Sequence, residues 1–130
     1  MEGFSDTLRV LASGMRAQGQ RMRHVSENLS NADTPGYRRK IVSFRAEMDG
    51  GRETGAVRAG PVTLDRAELR RVHDPSHPLA DAEGSYLGSN VDLILEIADA
   101  REAQRSYEAN LKMFEQTRRM SGALMDLLKR

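Results

Sequence analysis

Apolar side chains recur along the first third of the chain at Phe4, Leu8, Leu11, Met15, Met22, Val25, Leu29 and Ala32, in alternating steps of four and three interrupted only by Gln18. This spacing predicts a long amphipathic helix. Its regularity leaves a narrow stripe, suited to packing lengthwise along other helices and too thin to sink into a broad core. Arg9, Arg16, Arg21, Arg23 and Glu27 occupy the other faces. The helix is expected to start near Ser5 or Asp6, whose side chains can cap free amides, and to end before Pro35, with Gly36 supplying a positive φ. Ser26 to Tyr37 therefore reads as a helix exit. Gly14 and Gly19 lie inside the helix, where they either permit close approach of another helix or simply weaken a surface one.

Beyond Arg38-Arg39-Lys40, the alternation of Val42, Phe44, Ala46 and Met48 with Ser43, Arg45 and Glu47 predicts a half-buried strand over 41–48. Asp49 to Pro61, with Gly50, Gly51, Gly55 and Gly60, reads as a mobile loop. Short extended pieces are expected at Val62–Leu64, at Leu69–Val72 and around Tyr86 and Leu87. Ser89-Asn90-Val91-Asp92 has the form of a capping box. It opens a second helix from Asn90 to about Leu128, with Leu93, Ile97, Ala100, Tyr107, Leu111 and Phe114 on one stripe that drifts to Met113, Met120, Leu124 and Leu127. The predicted fold is mainly α: long N- and C-terminal helices form a coiled-coil-like pair around a small irregular and β middle segment. The parts are 1–34, 35–88 (an extended, hairpin and loop segment) and 89–130, in one structural unit.

Composition sharpens this picture. The 130 residues hold no run approaching the roughly 18 apolar residues of a membrane span, so a soluble chain is expected. Polar residues interrupt every apolar turn of the first helix, which speaks against a secretory signal. With 20 basic and 19 acidic residues the net charge is +1, which argues against a nucleic-acid binder held by phosphate contacts. There is no cysteine, and therefore no disulfide or thiolate chemistry. Only 5% of residues are aromatic, leaving little for a large core. Frayed termini that order against partners follow from that shortage.

Candidate chemistry is sparse. His73, Asp74, His77 and Asp81 are close enough to suggest a metal site, but two prolines surround them and a loop held by Asp and His bonds to backbone accounts for them better. The seven methionines fall at helical spacing and read as packing side chains. The basic pairs are balanced by nearby acids and lack interleaved aromatics. Neither a phosphate cradle nor a nucleophile motif is present, so no enzyme and no cofactor is expected.

The stretch Ser26–Tyr37 resembles the exit motif A-N-N-L-A-N-x-x-T-x-G-Y of the bacterial flagellar basal-body rod and hook proteins. Asn28, Leu29, Asn31, Thr34, Gly36 and Tyr37 stand at matching positions, with Pro35 inside the turn; Glu27 and Ser30 depart mildly. Ala12–Gln18, Asp74–Pro78, Asp81–Gly84 and Arg105–Asn110 narrow the resemblance to the proximal rod and extend it over almost the whole chain. The resemblance implies a structural subunit, exported through the flagellar type III apparatus to the periplasmic rod, that transmits torque from the motor ring toward the distal rod and hook. Its implied partners are other rod proteins, the motor (MS) ring, the export gate and further copies of itself, with neither nucleic acid nor direct membrane insertion. Assembly would use the exit motif, and helix packing would use Leu8, Leu11, Met15, Met22, Val25, Ile97, Tyr107, Leu111 and Phe114. The alternatives are another proximal rod subunit with the same type of turn, or a soluble helical adaptor or chaperone.

Overall fold

The computed structural model describes residues 2–129. Two helices dominate it: α1 (Glu2–Ser30) and α2 (Leu93–Leu128), of 29 and 36 residues. At about 1.5 Å per residue they are roughly 43 and 54 Å long. Between them lie two antiparallel ribbons, β1 (Lys40–Asp49) with β2 (Arg52–Leu64), and β3 (Arg71–His73) with β4 (Ser85–Leu87).

α1 already includes Glu2, three residues ahead of the expected start, and it closes at Ser30. The turn beyond it is built by Asn31, whose backbone N–H bonds the carbonyls of Glu27 and Asn28, and by Thr34 N–H bonding the Asn31 carbonyl. The second helix starts later than expected. Its N-cap is Asp92, which accepts from the amides of Ile94 and Leu95 at 3.0 and 3.4 Å. Ser89 does not cap it. The Ser89 hydroxyl donates to the Ala32 carbonyl and fastens the start of α2 to the end of α1.

The largest correction concerns 49–61, expected as a mobile loop. Gly50 and Gly51 make a two-residue turn with φ of 58° and 83°, the primed geometry that matches strand twist, and β2 runs on through Gly55, Gly60 and Pro61. Packing explains why a glycine-rich stretch stays extended. Ala56 is buried, the Val57 amide donates to Ser13 Oγ at 3.0 Å, and Arg9 pairs with Glu47, so the ribbon lies back along α1. In β1, Val42 and Phe44 are half-buried as their alternation requires. The pairing register breaks between Ala46 and Met48, leaving both exposed and turning Glu47 inward to accept from Thr54 and Arg9.

α1 and α2 pack lengthwise and antiparallel: Asn28 meets Glu96, Arg21 meets Asp99 and Glu102, and Gly14 lies against Asn110. These cross-helix contacts are made by polar residues and glycine, while Ser13 and Ala17 of α1 face the β2 ribbon. Ser13, Ala17, Val25 and Asn28 are buried on α1; Glu96, Ala103 and Thr117 are buried on α2. Most large apolar side chains of the two helices are half-buried or exposed.

Candidate functional site

The exit motif folds into an elbow where α1, both ribbons and α2 converge. Asn28, 1% exposed, uses every bond its amide can make. Its Oδ1 accepts from the Tyr37 hydroxyl and from the Lys40 amide, each at 2.8 Å; its Nδ2 donates to the Lys40 carbonyl and to Glu96 Oε1, each at 3.1 Å. Asn31 ties the turn below, donating to the Glu27 carbonyl and accepting from the Thr34 hydroxyl. Gly36, at φ 76°, points its N–H at the carbonyls of Leu87 and Gly88 and so hooks the turn onto β4. A side chain there would be strained in this left-handed conformation. Tyr37 donates its N–H to the Thr34 carbonyl, and its partial burial raises the phenol's pKa. Thr34 is exposed, Pro35 half-buried, and Leu29 stands 36% exposed on the flank of the elbow.

Three residues that the sequence did not single out complete the elbow. Asn90 mirrors Asn28: it accepts from the Arg39 amide at 2.7 Å and donates to the carbonyls of Asp65 and Ala67. Glu96 is 0% exposed, and Arg39 Nε bonds its Oε1 at 2.6 Å. Arg39 also reaches Asp65 at 3.3 Å and Asp99 at 3.4 Å. Burial works against the guanidinium's charge, but Glu96 and Asp65 outweigh it and hold the pKa above its ordinary value. The Asp65 carboxyl is held below its own ordinary value, first by the Ala67 amide and then, against some burial, by Arg39. The available sequence signal was a charge at Glu96 on the heptad line of Ala103, Asn110 and Thr117.

The predicted packing residues divide between seam and flank. Val25 is buried; Leu8, Leu11, Met15, Met22, Tyr107 and Phe114 are half-buried; Ile97 and Leu111 are exposed. Leu93 and Ile94 are also exposed at the start of α2, Ile94 at 81%. The last turns of α2 expose Met120, Leu124, Leu127 and Leu128, the last at 71%. The histidine loop has a local explanation. His77 stacks on Tyr86 at 3.9 Å, Asp74 accepts from the Ser76 amide, and Asp81 accepts from the amides of Glu83 and Ser85.

The polar elbow thus joins the end of α1 to the start of α2, beside apolar helical faces that the chain leaves open. The profile "Flagella basal body rod protein" matches residues 8–38, spanning most of α1 and the turn. The profile "Flagellar basal body rod FlgEFG protein C-terminal" matches residues 82–127, hence β4 and α2. The flagellar basal-body rod protein FlgC of Agrobacterium fabrum is 40% identical over 136 aligned positions, covering 99% of this chain and 98% of that protein. The chain belongs to the FlgC family of flagellar basal-body rod proteins. The FlgC proteins of Bacillus subtilis, 35% identical over 95% of both chains, and of Salmonella typhimurium, 33% identical over 85% of this chain and 87% of that one, are further relatives. As a FlgC-family member the chain is a structural component of the flagellar basal-body rod, not an enzyme.

Proposed function

We propose that the chain is a stave of the proximal rod, with its terminal helices acting as a coiled-coil-like pair that packs against the helices of neighbouring subunits in the axial drive shaft. The observation that carries this is the apolar surface that the helix pair leaves open. Gly14, Arg21 and Asn28 of α1 meet polar residues of α2, while Ile94, Ile97, Leu124 and Leu127 stand exposed. Covering one such side chain stabilises an interface by about 1.5–3 kcal/mol, so a few per subunit suffice to order a shaft. The interface is heterologous, repeating along the rod without closing.

In this role the exit motif, Asn28 to Tyr37, sets the angle at which the middle segment leaves the shaft, and the packing residues of both helices contact neighbours. The parts 1–34, 35–88 and 89–130 work as one unit. The partners are other rod proteins, further copies of the chain, the MS ring and the export gate; the route is type III export to the periplasmic rod. No cofactor, nucleic acid or bilayer insertion is involved.

Ile97→Asp and Leu124→Asp test the proposal. Both side chains are exposed in the isolated subunit, so circular dichroism and the urea midpoint should match wild type. Purified basal bodies should lack the variant chains, and the cells should not swim. Normal incorporation of both variants would refute the assignment of these faces.

A further inference from the structure

The seam between the helices poses a problem of alignment. Gly14 on one side and Ala103 and Thr117 on the other are small, so they favour close packing without favouring one axial position. Interlocked large side chains, which fix register in most helix pairs, are scarce here. Yet one register is occupied, and besides the Arg21 pairs with Asp99 and Glu102 it is marked by two further polar contacts. Asn28 bonds the buried Glu96 carboxylate at 3.1 Å, and Asn110 Nδ2 fills the space beside Gly14, where an added Cβ would lie 2.7 Å from it. Two heptads separate Gly14 from Asn28, and two separate Glu96 from Asn110, so both contacts are made only when the helices are in step.

We propose that Glu96, held by Asn28 and Arg39, is the register key of the helix pair. A buried carboxylate is a poor source of stability, since apolar groups of similar volume often serve as well or better. Its value is discrimination. Sliding α2 by one heptad would carry Glu96 away from both donors and leave a buried charge without partners. Such a slide would also push Asn110 off the Gly14 notch. Register in turn sets how far the apolar last turns of α2 extend past α1, so the key controls where the outward-facing patch lies.

The chain has no native cysteine, so spin labels can be placed cleanly at Arg23→Cys and Lys112→Cys, exposed positions on the two helices. In the full-length protein, pulsed electron–electron resonance should give one narrow distance. Glu96→Leu with Arg39→Met should remain folded and gain a second population displaced by about 10 Å, one heptad of helix. Glu96→Gln, which keeps the shape but removes the charge, should show the same second population at lower occupancy. A single unchanged distance in both variants overturns the proposal. So does loss of folding in both, because the carboxylate would then be needed for the fold itself and not for its alignment.

Discussion

Asn28 makes four side-chain hydrogen bonds, to Tyr37, Lys40 and Glu96, and its replacement should therefore cost more than its size suggests. Asn28→Ala would leave the Tyr37 hydroxyl, the Lys40 amide and carbonyl, and Glu96 each short of a bond; unfolding in urea should show a loss of about 3 kcal/mol. Tyr37→Phe removes one of those bonds and should cost about 1 kcal/mol. Asp65 gives the elbow a predictable response to acid. Its carboxyl is held below its ordinary pKa in the folded chain, by the Ala67 amide and by Arg39, so it binds a proton more readily when unfolded. Its contribution is intact at neutral pH and is lost as the pH falls through the carboxylate range and below, from about pH 5 downward. Asp65→Asn should flatten the fall of the urea midpoint across that range; an unchanged profile would remove Asp65 from the account. The motif itself was legible in the sequence, because short polar residues, Pro35 and Gly36 announce a helix exit. Asn90, Arg39 and Glu96 were not, because their partners lie on other elements and leave no local pattern.

At the scale of elements, both long helices were readable from periodicity, whereas the face each presents to the other was not. An apolar count favours Leu8, Leu11, Met15 and Met22, but the contacts that cross to α2 include Gly14, Arg21 and Asn28, one heptad apart along α1. The stretch 52–61 of β2 escaped notice for a related reason, although its end, Val62–Leu64, was expected to be extended. Gly55 and Gly60 break its alternation, and its support comes from α1 through Ala56 and the Ser13 hydroxyl, contacts remote in sequence. The turn of the β1–β2 ribbon can be tested alone. Gly51 has φ 83°, so Gly51→Val should cost about 1–2 kcal/mol locally. Hydrogen exchange should then speed up along 52–64 while the amides of α2 keep their protection. Uniform acceleration across the chain would instead mean that ribbon and helices unfold as one.

For the whole molecule, the thin core explains why sequence composition pointed to a subunit. Ala17, Val25, Ala56, Val91 and Ala103 are its buried apolar residues among those described, and three of the five are alanines. The elbow supplies order at one end; among the described residues the far end of α2 makes no side-chain bond to another element, and it is expected to fray in the isolated subunit. The membership of the FlgC family makes the destination of those exposed turns a concrete question about the rod. The most direct measurement places a photo-crosslinking residue at Ile97 or Leu124 in intact basal bodies and identifies what becomes attached. Adducts with neighbouring rod subunits at both positions are the predicted result. Efficient incorporation of the labelled chain with no adduct at either position, the side chains facing only solvent, would contradict the account.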